Sequence, residues 1–258
     1  MTLKTLDNAL ELLKFFSEET PEWGVRELAK AADISHSIVY RILATYEKHG
    51  FLRQNQESKK YELGIRFWEY GLIVKDKFLP DIVSTIMTRL AEQTGESIFL
   101  TWLDGTEGIC VEIAESTQNI KFAVSIGTRS PLYVGAWTKV MMAYLSREQQ
   151  EFIVKQGLMP RTDKTVVDTE RLFEDLEKIR QDGWCYSVGE YSESVFGLGL
   201  PLFNSKGEIM ASITAAGPAF RMPEEKVPKV LKILLDGRDE IQECIGRFGL
   251  NYTAVHPV

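Results

Sequence analysis

Gly24-Val25-Arg26-Glu27-Leu28-Ala29-Lys30-Ala31-Ala32-Asp33-Ile34-Ser35-His36-Ser37-Ile38-Val39-Tyr40-Arg41-Ile42-Leu43 is the stretch whose reading decides the fold, together with Gly50-Phe51-Leu52-Arg53 and Lys59-Lys60-Tyr61-Glu62-Leu63 behind it. Val25, Leu28, Ala29 and Ala32 recur at helical spacing behind an N-cap at Gly24, and Glu27 puts a carboxylate at the positive helix end. Asp33-Ile34-Ser35 breaks the pattern. Ser35 then caps a second helix whose apolar face is Ile38, Ile42, Leu43 and Tyr46. Gly50 ends that helix, and two short period-two runs, Phe51 to Arg53 and Lys60 to Leu63, make a hairpin with a basic tip. Two helices, a tight turn and a hairpin are the order of a winged helix-turn-helix.

Working outward, Thr5 is the expected N-cap of a preceding helix with Leu6, Ala9, Leu10, Leu13 and Phe16 on one face, and Pro21 and Gly24 mark the loop after it. The second motif helix presents Ser35, His36, Ser37, Tyr40 and Arg41 near its N-terminus, the part of a recognition helix that meets base edges and phosphates, and Arg26 lies on the helix before it. From Ser35 to Lys60, Arg41, Lys48, Arg53, Lys59 and Lys60 stand against Glu47 and Glu57, five positive charges against two and so a local +3, while the whole chain is −7. Phosphate binding needs only a local patch, so the acidic total does not exclude a DNA partner.

At 258 residues the chain suits two domains. The first is expected at 1–63, a linker helix at 64–80 with Phe67, Val74 and Phe78 as its dimerisation stripe, a second domain at 81–250, and a tail at 251–258. In the second domain a helix from Asp81 ends at Thr94-Gly95. Strands are expected at 97–102, 109–113, 120–125, 184–188, 196–203 and 208–216, and helices at 138–156, 169–182 (Asp168 as N-cap, Gly183 as C-cap) and 223–247. Antiparallel strands beside helices without regular βαβ alternation argue an α+β fold. Met1 to Thr5 carries no apolar signal region and no run is long enough to span a bilayer, so a cytoplasmic location without membrane contact is expected. Cys110, Cys185 and Cys244 lack paired spacing, and His36, His49 and His256 are dispersed, so no metal site and no cofactor are expected.

The ordered set Thr5 to Leu13, Arg26-Glu27-Leu28-Ala29, Tyr40-Arg41-Ile42-Leu43, Gly50-Phe51-Leu52, Tyr61-Glu62-Leu63-Gly64, Gly127-Thr128-Arg129-Ser130-Pro131-Leu132, Gly183-Trp184 and Ala216-Gly217-Pro218 resembles the IclR family of bacterial transcriptional regulators over nearly the whole chain. The resemblance implies a winged helix-turn-helix, a dimerising linker helix and a GAF-like effector domain. It also implies dimers or tetramers on palindromic operators, with repression the commoner mode and activation open. It further implies an effector pocket lined by Phe122, Ser130, Ala136, Trp137, Ser187, Val195, Gly197, Thr214 and Ala216. Backbone N–H groups at the helix start near Ala136 can hold a carboxylate, which makes a small organic acid the default effector. Trp137-Thr138 replaces the small residue and glycine usual in the family before the lysine, so Trp137 either fills the pocket or stacks an aromatic ligand. Arg129 and Lys139 are tempting carboxylate partners but surface cations are mostly solvated. Gly197 and Gly199 read as close packing in a strand rather than a dinucleotide loop. An enzyme would need Cys185 as nucleophile with Glu190 near it, and no histidine lies between residues 50 and 255, so no catalytic residue is expected.

Overall fold

The computed structural model describes residues 3–17, 19–78 and 81–248, the side chains of residues 75–78 and 248 excepted. Pro80, His256 and the tail lie outside the described residues, as does the side chain of Phe78. The chain divides into two compact units between Lys77 and Phe78, so nearly all of the linker helix counts with the first unit.

The first unit runs α1 (Lys4–Leu13), β1 (Glu22–Trp23), α2 (Val25–Ala31), α3 (His36–Lys48), β2 (Leu52–Gln54), β3 (Tyr61–Leu63) and α4 (Ile65–Phe78). Its core is Leu12, Leu28, Val39, Ile42, Leu43, Leu52 and Tyr61. The face expected for α1 is corrected: the helix starts at Lys4, Leu12 is its buried residue, and Leu6 and Leu10 are exposed. The wing also has a third strand that the sequence reading had as loop. β1 pairs with β3, in sheet order β1-β3-β2. At the α2 start the Glu27 carboxylate accepts the Gly24 N–H at 3.0 Å, which satisfies one of the donors a helix N-terminus leaves open.

The second unit begins with α5 (Asp81–Thr94), β4 (Ser97–Asp104), β5 (Glu107–Ala114), β6 (Arg129–Pro131), α6 (Ala136–Met142), α7 (Arg147–Lys155) and α8 (Thr169–Asp182). It continues with β7 (Cys185–Val188), β8 (Val195–Phe203), β9 (Ile209–Pro218), two short 3-10 turns and α9 (Val227–Phe248). The strands form one antiparallel sheet in the order β6-β5-β4-β9-β8-β7. Period-two alternation sorts its faces. Leu198, Leu200, Ile213 and Ala215 pack on one side with Met87, Leu90, Val230 and Leu234 of α5 and α9. Ser187, Gly197, Gly199, Ser212, Thr214 and Ala216 fall on the other side, toward α6.

Two expected elements are corrected. Residues 120–125 form no strand, because β5 takes its outer pairing from 127–131: the Cys110 N–H donates to the Thr128 carbonyl at 2.9 Å, and Gly108 pairs with Ser130. The helix expected at 138–156 is two helices. The first ends at Met142 with Ala143 as its C-cap, and Ser146 caps the second, its Oγ accepting from Gln149 N–H and Gln149 Oε1 from Ser146 N–H.

α6 lies against β8 because β8 has glycine at 197 and 199. A Cβ at Gly199 would stand 2.7 Å from the Ala136 carbonyl oxygen, and one at Gly197 would stand 3.1 Å from Ala136 Cβ. Gly199→Ala is therefore expected to push α6 off the sheet and cost about 1 to 3 kcal/mol, as overpacking in a close-packed interior does. A thermal melt of the variant checks this, and an unchanged midpoint would show that α6 can yield.

Candidate functional site

Two separate places collect the residues singled out in the sequence. In the first unit, Arg26, Ser35, His36, Ser37, Tyr40 and Arg41 are all exposed, and Val39, Ile42 and Leu43 hold the opposite side of α3 in the core. The Ser35 hydroxyl faces that of Ser37 at 3.5 Å and makes no cap bond to the helix, so it stays on the outer surface. Arg41 and Lys59 make no ion pair among the described residues. Arg53 pairs with Glu62 at 2.8 Å and Lys60 with Glu27 at 3.2 Å, so part of the basic charge of the wing is already matched. The Gly24 N–H, and then Lys60, hold the Glu27 carboxyl below its usual range. Asn55 shapes the wing tip, its Oδ1 accepting the N–H of Glu57 and of Ser58, and Lys59 follows in the left-handed region at φ 57°. Lys59 is exposed there.

On α4, Phe67 packs into its own unit, 5.3 Å ring to ring from Phe51, which also stacks on Tyr70 at 5.8 Å. The apolar surface left exposed on the helix is instead Ile65, Trp68, Leu72, Ile73 and Val74.

In the second unit a cavity of about 30 Å³ lies between α6 and the sheet. Phe122, Ala136, Trp137 and Ser187 line it, as do Val195, Gly197, Thr214 and Ala216, and the sequence reading had missed Phe99, Gly135, Tyr191 and Phe196. Ser130 is not brought there. It is fully buried in β6, its hydroxyl donating to the Pro131 carbonyl at 3.4 Å.

Four rings enclose the space in a chain. Phe99 lies 5.7 Å from Phe122, Phe122 lies 5.7 Å edge-on to Tyr191, and Tyr191 lies 4.8 Å edge-on to Trp137. Trp137 thus both lines the cavity and belongs to the core, with its indole N–H donating to the Val134 carbonyl at 3.2 Å. Tyr191 also borders an outer cleft of about 520 Å³ with Phe122 and Arg161. The Arg161 guanidinium stacks 3.9 Å over the Tyr191 ring and its Nε donates to the Tyr191 carbonyl. Burial pushes the Tyr191 phenol up, against the pull of Arg161.

Two N–H groups at the start of α6, where an anion site is expected, are already paired within the chain. The Gly135 N–H donates to Glu190 Oε2 at 3.3 Å and the Ala136 N–H to Ser187 Oγ at 2.9 Å, so the chain's own side chains occupy both donors. Glu190 Oε1 in turn accepts from Lys139 Nζ at 2.7 Å, with Asp175 at 3.3 Å. Lys139 is no solvated surface cation, since its side chain is 2% exposed. Burial pulls its pKa down, but the neighbouring Cys185, Glu190 and Asp175 raise it further, and the net direction is up. Arg129 is bound elsewhere, to Asp104 at 2.6 Å and Glu107 at 3.2 Å. Burial pushes the Cys185 thiol up to about 12, which keeps it protonated and unreactive near neutral pH. One polar atom of the cavity wall has no partner among the described residues: Thr214 Oγ1, on a side chain 1% exposed. Such a group costs about 1 to 3 kcal/mol.

Among the described residues no helix is long and apolar enough to cross a membrane, and no group of three or more histidine, cysteine, aspartate or glutamate side chains is placed to hold a metal ion.

The IclR helix-turn-helix domain matches residues 5–56, and the bacterial transcriptional regulator IclR C-terminal domain matches residues 74–243. The chain is 31% identical over 245 residues to the HTH-type transcriptional regulator KipR of Bacillus subtilis, covering 94% of this chain and 97% of that protein. It is 26% identical to the transcriptional repressor IclR of Escherichia coli, with 95% and 90% covered. The fold is shared with a solved IclR-type regulator from Silicibacter sp. at a TM-score of 0.87, 21% identity and 98% of both chains. It is shared as well with an IclR homologue from Microbacterium hydrocarbonoxydans in complex with 4-hydroxybenzoate, at 0.80, 20% identity, 93% of this chain and 98% of that one. An exposed motif helix in a winged unit, a second unit of antiparallel sheet and helices, and two domain matches that together span most of the sequence lead to one conclusion: this chain belongs to the IclR family of bacterial transcriptional regulators.

Proposed function

We propose that this protein is a ligand-responsive repressor that binds a palindromic operator as a dimer or tetramer through α3 and the wing, and that a small organic effector in the α6 cavity biases that binding. In this reading it has no catalytic activity and works in the cytoplasm, residues 1–63 carry DNA binding, 64–80 dimerisation and 81–250 effector sensing. The observation that carries it is the exposed N-terminal face of α3, with His36, Ser37, Tyr40 and Arg41 on it and Arg41 in no ion pair among the described residues, on a unit whose core holds the opposite face. The operator-facing set is Arg26, Ser35, His36, Ser37, Tyr40, Arg41, Lys59 and Lys60. Lys60 is shared with Glu27, so Lys59 is the stronger phosphate contact of the two.

The 4-hydroxybenzoate bound by the Microbacterium homologue supports an organic acid. A carboxylate entering here would have to compete with Glu190 for the Gly135 N–H and with Ser187 for the Ala136 N–H.

Binding of DNA from upstream of the protein's own gene, followed by fluorescence anisotropy, tests the main reading. Arg41→Ala is expected to cost roughly 1 to 3 kcal/mol on the specific duplex while leaving the melting curve as it was. Lys59→Ala is expected to lower the salt slope by about 0.9 with little loss of sequence preference, and Lys60→Ala to lower it less. Equal affinity of wild type and Arg41→Ala for specific and random duplexes would dispose of α3 as the reader.

Assembly is tested on the exposed side of α4. Ile73, 64% exposed, is a poor residue to leave in water beside Trp68, Leu72 and Val74. Ile73→Glu is expected to give monomers in light scattering and to weaken operator binding, without lowering the stability of a unit in which it buries little. An unaltered dimer would move the interface away from this helix.

A further inference from the structure

We propose that the α6 cavity selects small uncharged molecules carrying a hydroxyl or carbonyl group, held on the Thr214 hydroxyl, and rejects their carboxylate counterparts. This rests on the effector-site reading above and narrows it. The polar anchor is the first support. Thr214 follows Ser212 on the sheet face toward α6, and while the Ser212 hydroxyl is spent on the Trp137 carbonyl, Thr214 Oγ1 has no partner among the described residues. The missing Cβ of Gly199 would stand 3.0 Å from that oxygen and 2.7 Å from the Ala136 carbonyl, so the hydroxyl sits over the glycine gap beside the start of α6. Tyr46 and Thr101 also bury unpartnered hydroxyls, but neither lines the cavity.

Charge is the second support. None of the residues lining the cavity has an ionised side chain, and most of the wall is ring or aliphatic carbon. An anion held by this wall loses its hydration without gaining a cation from it, and the cation beyond Tyr191, Arg161, shares the outer cleft with Glu193. The one buried cation nearby, Lys139, already faces two carboxylates, Glu190 and Asp175, which leaves one negative charge in excess. A carboxylate that displaced Glu190 from the Gly135 N–H would disturb the 2.7 Å contact that keeps Lys139 neutralised. A neutral amide, phenol or alcohol meets neither penalty and satisfies Thr214.

Size is the third. About 30 Å³ holds one or two waters, whereas a cavity that takes up benzene is nearer 150 Å³. A ring therefore enters only if a wall yields. Tyr191, on the loop between β7 and β8, and Phe122 line both the cavity and the outer cleft of about 520 Å³, so that wall lies between these two rings.

Benzamide and benzoate have nearly one shape and differ in charge, so the pair isolates the point. Titration calorimetry and melting curves on the full chain at pH 7 are expected to show saturable binding of benzamide with a raised midpoint, and benzoate at least about tenfold weaker. Thr214→Val should weaken benzamide about tenfold without lowering the midpoint of the free protein, and Thr214→Ser, which keeps the hydroxyl, should restore binding. Benzoate binding as tightly as benzamide would overturn the neutral-ligand proposal and leave the effector site standing. Benzamide bound equally by wild type and Thr214→Val would overturn the anchor. If neither compound binds while the operator is still bound, the cavity holds only water, and the sensing role falls with the proposal.

Discussion

The second unit is organised around one demand: a lysine ammonium buried in the wall of α6 must be neutralised. Lys139 is 2% exposed, and an unpaired cation there would cost several kcal/mol, so Glu190 and Asp175 have to reach it. Asp175 comes from α8, which fixes that helix against α6. Glu190 comes from the loop between β7 and β8, and its second oxygen caps the Gly135 N–H. Once Glu190 is tied down, the next residue, Tyr191, is carried over the cavity, where Thr162 and Thr165 hydroxyls hold the Glu190 carbonyl and Arg161 stacks on the ring. The cavity roof is thus a consequence of an ion pair that does not touch the cavity.

The glycines of β8 supply the matching constraint from the other side. A helix can bring Lys139 this deep only if its backbone approaches the sheet, and Gly199 leaves the room. The first unit solves a different problem. Its recognition surface has to remain hydrated and charged, so its core takes Leu28, Val39, Ile42 and Leu43 from the inner faces of α2 and α3, and matches only part of the wing charge internally. The chain as a whole is acidic, and long-range attraction to a polyanion is correspondingly weak. Under the proposed operator-binding role, affinity comes from contacts within a Debye length, which would make Arg41 and Lys59 count for more than the total charge suggests.

Much of this was legible in the sequence, for identifiable reasons. The α2–α3 pair announced itself through the Gly24 and Ser35 caps and apolar residues at helical spacing, and α8 through Asp168 and Gly183. Most of the expected cavity residues came together because strand alternation puts Thr214 with Ala216 and Ser187 with Gly197 once the sheet is formed. Local pattern failed where a distant partner decides. Residues 120–125 alternate like a strand, but β5 is already paired with 127–131. The break between α6 and α7 is written in Ser146-Arg147-Glu148-Gln149 as a capping box, which lies inside the single helix expected at 138–156. The burial of Lys139 had no local signal, because Asp175 and Glu190 are 36 and 51 residues away. Tyr191 was missed for the same reason, since nothing short of the Lys139 pair says where its loop goes.

The same ion pair limits how any ligand can act. A ligand shifts an equilibrium only by its differential affinity for the two states, so tight binding to a cavity that is identical in both would change nothing at the operator. Phe122 and Tyr191 line both the cavity of about 30 Å³ and the cleft outside, so a ligand that displaced Tyr191 would join the two. Glu190, next to it in the chain, cannot follow without exposing Lys139. Movement at Tyr191 is therefore confined to the residues after Glu190, up to the start of β8 at Val195 and the left-handed Ser194 before it. A short segment pinned at one end by a buried charge and at the other by a sheet has few alternative conformations. That is the kind of element in which a small molecule can select one discrete state over another.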